Sequence, residues 1–194
     1  MIPKATPSTP ETVALSAALS AAGPSLFGYP TLSGSHFRLH GRLIELFNSI
    51  EFNLRRSAEF LARSKLLGKF QKREDRLKPY ELVPALHAAL GEMDPGIENI
   101  AESRIWLNEI EEERSTRNVL AHWVARQIPS RDAIVYFSND NFDGRQSTGS
   151  NIPNDHIQFL VLDVRYLREL DPFLVERDRW LGYKTTEWHK RYCS

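Results

Sequence analysis

The stretch His36–Ser64, HFRLHGRLIELFNSIEFNLRRSAEFLARS, carries Leu43, Phe47, Ile50, Leu54, Ala58 and Leu61 at spacings of 4, 3, 4, 4 and 3. At about 100° per residue these positions form one apolar stripe along a helix, leaving charged and amide side chains for the other face. The stretch therefore predicts a long amphipathic helix, and such a helix must bury its stripe against other elements of the chain.

Working outward toward the N-terminus, residues 1–34 hold Pro3, Pro7, Pro10, Pro24 and Pro30 among Ser, Thr, Ala and Gly. A segment of that composition buries too little apolar surface to offset its ordering entropy, so a flexible tail is expected there, with one helical domain over 35–194. Toward the C-terminus, Gly68 and the charged run Lys72–Asp75, Arg76 and Lys78 predict a solvated connection. A shorter helix is expected over Glu81–Leu90, with Gly91 as its stop. Asp94-Pro95 pairs a capping side chain with Pro at a first helical position, and Ile97, Ile100, Leu107 and Ile110 would face inward from the helix that follows.

No Pro or Gly interrupts the chain from Ile97 to Gln127. The helix either runs on or restarts near Ser115-Thr116, with Val119, Leu120, Trp123 and Val124 as its buried face and Pro129 as its end. Ala133–Phe137 and Ile157–Leu162 flank a polar stretch with Asn139, Asp140, Asn141, Gly144 and Gly149, the pattern of a β-hairpin with a long tip. Asp163 is placed to cap a last helix over Val164–Gly182, which Pro172 would kink or split. The fold class expected is all-α: a four- to five-helix bundle with a small β-hairpin before its last helix.

The chain has 194 residues, 41% of them hydrophobic and 26% charged, the balance of a globular chain with a core. Lys plus Arg and Asp plus Glu both number 25, so the whole molecule exerts no net pull on phosphate, and any nucleic-acid surface must be a local patch. A lone cysteine, Cys193, excludes a disulfide framework and a Cys-rich zinc site, and fits a reducing cytoplasm. Thr12–Ala22 is only weakly apolar and reads as tail rather than signal peptide, and no run approaches the length of a membrane span, so no membrane partner is expected.

One short element carries chemistry: Glu113-Arg114-Ser115-Thr116-Arg117-Asn118-Val119-Leu120-Ala121-His122-Trp123. It resembles the signature of the HEPN superfamily, an Arg, a polar residue that is often Asn, three further residues and a His. The wording RNVLAH at 117–122 is similar to the RN-x-x-AH form of many bacterial members. The resemblance is sharp over about ten residues; beyond them it rests on helices before and after the motif. HEPN members that pair with minimal nucleotidyltransferases tend to carry Tyr two residues after the His. Val124 stands there in this chain, so that subfamily is not assigned.

The resemblance implies a metal-independent endoribonuclease, without cofactor, in which the ribose 2′-hydroxyl attacks the adjacent phosphorus. The products are a 2′,3′-cyclic phosphate and a 5′-hydroxyl. His122 would move the protons, Arg117 would hold the non-bridging oxygens, and Asn118 would orient the imidazole or a phosphate oxygen. Arg114 and Arg126 are expected as further substrate-binding cations. It also implies RNA as substrate, a homodimer with a composite site, and a toxin or phage-defence setting with an antitoxin or regulatory partner. The alternative is a silent HEPN bundle serving as a dimerisation or binding module.

Helical spacing adds a constraint. Asn118 and His122 are four apart and share a face, with Arg114 and Arg126 extending the stripe, whereas Arg117 and His122 diverge by about 140°. Either Arg117 sits in a frayed first turn and reaches around, or two copies of the motif meet across a two-fold axis. Plainer readings exist for each residue: a Glu113–Arg117 ion pair at i,i+4, His122 packed at the core edge beside Trp123, and Asn118 as a polar cap. The motif accounts for all three at once. Elsewhere the plainer readings prevail. Glu109 and Glu111–Glu113 form a solvated acidic face, and His36 and His40, though spaced like metal ligands, lack a third ligand nearby. Asn139–Asp143 lacks the spacing of a calcium loop, and Trp180, Trp188 and Tyr192 serve packing or partner contact.

Overall fold

The computed structural model describes residues 28–95, 99–129, 131–138 and 158–193, together with Ala14. Most of the expected tail, Ile97 and the hairpin tip at 139–157, with Ile157 at its end, lie outside the described residues. The protein is mainly helical with a small antiparallel sheet. The elements are α1 (Gly34–Arg63), a 3-10 helix (Gly68–Arg76), α2 (Pro79–Glu92), α3 (Ile100–Glu112), α4 (Arg114–His122), β1 (Val124–Gln127), β2 (Ala133–Ser138), β3 (Gln158–Asp163) and α5 (Val164–Tyr192). Among the described residues no helix is long and apolar enough to cross a membrane. The chain forms two compact units, residues 1–44 with 112–172 and residues 45–111 with 173–194.

In the second unit, Phe47, Ile50, Leu54, Ala58 and Leu61 of α1 are all buried, as their spacing requires. α2 starts at Pro79, whose missing N–H costs nothing in a first turn, and Glu81 Oε2 accepts from Lys78 N at 3.0 Å. Gly91 lies within α2 rather than ending it, because Met93 beyond it is buried and holds the chain to the core. α3 begins after Asn99 rather than at Asp94-Pro95: Asn99 Oδ1 accepts from Glu102 N at 3.3 Å, which satisfies one orphan amide of the first turn. The last helix runs ten residues past Gly182. Leu174, Arg177, Leu181, Thr185 and Trp188 recur at helical spacing and are all buried, so the inward stripe continues through the glycine. The buried hydroxyls of Ser57 and Thr185 pair with each other, Oγ to Oγ1 at 2.7 Å.

In the first unit, β1, β2 and β3 form an antiparallel sheet in that order. β2 pairs with both neighbours, with Val135 opposite Arg126 on one side and Val161 on the other. Ala133–Phe137 are all buried, the run expected of a central strand covered on both faces. Ile128, Ala133, Val135 and Val161 form one apolar cluster, against which Tyr29 and Phe159 pack. Just before α1, Pro30 O accepts from Gln127 N at 3.0 Å, and Gln127 Oε1 accepts from Ser33 N at 3.1 Å. Asp163 Oδ1 accepts from Arg165 N at 2.7 Å, the cap expected for α5, and Pro172 lies inside that helix.

The hairpin expected from Ala133 onward is present, but with a third strand that the uninterrupted run to Gln127 concealed. The helix ends at His122, and Val124–Gln127 are extended and pair with Ile134–Phe137. Nothing local forbids helix there; pairing with β2 is what selects the strand, and it leaves Val124 exposed rather than buried.

Candidate active site

α4 is a short amphipathic helix. Thr116, Val119 and Leu120 are buried, and the side chains of Arg114, Arg117, Asn118 and His122 stand on its half-buried to exposed remainder. α3 and α4 are separated at Glu113, two residues before the Ser115-Thr116 break expected from sequence, so the motif lies on a helix of its own that opens at Arg114.

Within a single chain, Arg117 Nη1 lies 3.3 Å from His122 Nε2 and donates to Asn118 Oδ1 at 3.4 Å. A guanidinium has no lone pair to offer, so a hydrogen bond in this contact is one that His122 Nε2 accepts. Both contacts are long for hydrogen bonds. The angular gap between Arg117 and His122 is crossed by the long Arg side chain. At about 100° per residue, Ala121 and Asn118 fall between them on the helix surface, and the single methyl of exposed Ala121 leaves room for the guanidinium to pass.

Arg114 opens the helix on the same side as Asn118. Arg126 does not extend that stripe: it is on β1, and its guanidinium donates to Ala125 O at 3.0 Å. The stripe was drawn by continuing helical spacing through Trp123, where the backbone turns extended with ψ near 149°.

Two residues that sequence reasoning did not place here, Tyr166 and His40, hydrogen-bond to the two ends of the helix. Glu113 Oε2 accepts from Tyr166 Oη at 2.9 Å, and Thr116 Oγ1 lies 3.4 Å from the same phenol oxygen. Burial pushes the Glu113 carboxyl above the usual carboxylate range, and the Tyr166 hydrogen bond opposes that rise. At the other end His40 Nε2 donates to Leu120 O at 2.8 Å. His36 and His40, the pair with metal-like spacing, are engaged separately: His36 Nε2 meets Asp132 Oδ1 at 3.0 Å. Among the described residues no group of three His, Cys, Asp or Glu is placed to hold a metal ion. No local pattern marks Tyr166, which is 53 residues from Glu113.

Comparison of the chain with protein-family models, with curated proteins and with solved structures returns no match.

Proposed function

We propose that this protein is a metal-independent endoribonuclease of HEPN type. The observation that carries the reading is the approach of one cation, Arg117, to both an imidazole and an amide on the accessible side of α4. Such a set suits phosphodiester transesterification, because it joins an imidazole, which can take and give a proton, to a guanidinium fork that matches the non-bridging oxygens of a phosphate. In the proposed reaction a substrate phosphate draws the Arg117 fork onto its non-bridging oxygens, which releases the lone pair of His122 Nε2. That nitrogen takes the proton of the 2′-hydroxyl as the 2′-oxygen attacks phosphorus, and the bond from phosphorus to the 5′-oxygen breaks. A second copy of the motif across a two-fold axis would supply an imidazolium to protonate the leaving oxygen. Asn118 steadies the guanidinium, and Arg114 and Arg126 add charge for the flanking phosphates. DNA lacks the attacking hydroxyl, so RNA is the substrate class. A toxin or phage-defence setting with a regulatory partner is part of the same reading.

The test is cleavage of end-labelled RNA in excess EDTA by the wild type and His122→Ala, with analysis of the new ends. Cyclic phosphate and 5′-hydroxyl ends, with a rate about 10²- to 10⁴-fold lower in the variant, are the expected result. A folded wild-type protein that cuts no RNA would move the reading to a binding module built on the same bundle.

A further inference from the structure

We propose that His40 and Tyr166 are positioning residues that clamp the two ends of α4 and thereby set the distance between Arg117 and His122; this rests on reading that cluster as the cleavage site. α4 has nine residues, fewer than the dozen or so an isolated helix needs to persist in water, so its form and pose are imposed from outside. At its N-terminal end Glu113 is the cap residue by position, yet it has helical dihedrals (φ −82°, ψ −4°) and its side chain makes no capping hydrogen bond. The carboxylate turns instead to Tyr166 on α5.

At the C-terminal end the last helical hydrogen bond runs from Trp123 N to Val119 O at 3.0 Å. The next carbonyl, Leu120 O, would accept from Val124 N in a continuing helix, but Val124 belongs to β1. His40 Nε2 donates to that orphaned carbonyl, so an α1 side chain replaces the bond the helix gives up where it stops. The plane of the His40 ring is itself constrained, standing edge-on at 72° to the wholly buried Tyr136 with centroids 5.8 Å apart. His122 is the final residue of α4 and sits two residues beyond the pinned carbonyl, whereas Arg117 sits four residues beyond Glu113. Each member of the pair is thus tied to a different clamp, and slackening either clamp changes their separation.

Misplacement of about 1 Å in a catalytic group costs roughly 10²-fold in rate without weakening substrate binding. The experiment measures kcat and KM for RNA cleavage by the wild type, His40→Met, His40→Gln and Tyr166→Phe, alongside the ring ¹⁵N signals of His122 in the ligand-free protein. Loss of about 10- to 100-fold in kcat at unchanged KM in His40→Met is expected, with recovery in His40→Gln, whose amide restores a donor near Nε2. Tyr166→Phe is expected to show the same split, and it decides the matter if His40→Met does not fold. An active wild type with undiminished kcat in His40→Met or Tyr166→Phe overturns the clamp and leaves the cleavage reading standing. A wild type that cuts no RNA removes the cleavage reading, and the His122 signals then judge the clamp. Movement in His40→Met with return in His40→Gln upholds it; signals unmoved by His40→Met overturn it.

Discussion

Arg177 offers a sharp test of how buried charge is held in the second unit. Its side chain is 11% exposed and bridges Glu109 and Glu176, whose side chains are 33% and 62% exposed. Its guanidinium carbon lies 4.3 Å from the Trp106 ring centre and 4.2 Å from that of Phe173, and its Nε has no hydrogen-bond partner. Removing Glu109 leaves a desolvated cation with only a well-hydrated carboxylate. Breaking a buried pair from one side costs about 3–5 kcal/mol, and the surviving Glu176 contact brings Glu109→Gln to about 3 kcal/mol. Arg177→Met is different: the thioether fills the slot between two rings, and Glu109 and Glu176 recover water. The lost cation–π attraction, about 1 kcal/mol for each ring, is partly returned by sulfur–aromatic contact, for a net cost of roughly 1–2 kcal/mol. At about 2–4 °C per kcal/mol for a chain of this size, Glu109→Gln should melt roughly 6–12 °C below wild type and Arg177→Met only roughly 2–8 °C below. Urea unfolding followed by tryptophan fluorescence reports on this unit, since Trp106, Trp180 and Trp188 belong to it. A larger loss in Arg177→Met than in Glu109→Gln would refute the reasoning, because the pair itself, rather than an unpaired cation, would then dominate.

Two further outcomes are expected in the first unit. Tyr136 is fully buried and its hydroxyl has no hydrogen-bond partner, so Tyr136→Phe removes an unsatisfied polar group and should raise stability by about 1–3 kcal/mol, read by calorimetry; a destabilised variant would show that the hydroxyl is satisfied after all. Burial raises the Glu113 carboxyl, so the folded protein holds that proton more tightly than the unfolded chain does. The group's contribution to stability is therefore complete below the unfolded carboxylate range and is lost as pH climbs through the raised folded value. Glu113→Gln should accordingly be more stable than wild type at pH 7, with the advantage shrinking toward pH 4 in parallel melting curves. An advantage that grows on acidification would reverse the sign and sink the argument.

Helical elements with strong apolar periodicity were legible from sequence because their period is a property of the chain itself. The stripe of α1 from Leu43 to Leu61 is buried throughout, and the β-prone run at Ala133–Phe137 is a strand. Terminal signals were weaker guides. Gly91 and Gly182 lie inside helices because buried residues beyond each, Met93 and Trp188, hold the chain to the core at a gain that exceeds the cost of one helical glycine.

The motif residues Arg117, Asn118 and His122 were picked out by type and spacing, which are sequence properties. Whether Arg117 and His122 meet within one chain was left open by the sequence, since ideal helical angles set them apart, and the long Arg117 side chain closes that gap. Tertiary structure alone decided where the motif helix ends, that Arg126 lies on a strand, and that His40 and Tyr166 hold the helix in place. The reason is physical: a segment such as Val124–Gln127 has no conformational preference strong enough to choose for itself, and the choice falls to backbone partners in β2 that are distant in sequence. Carbonyls orphaned by that choice must then be satisfied by whichever side chain the fold brings near, and no local pattern in the chain records which one that is.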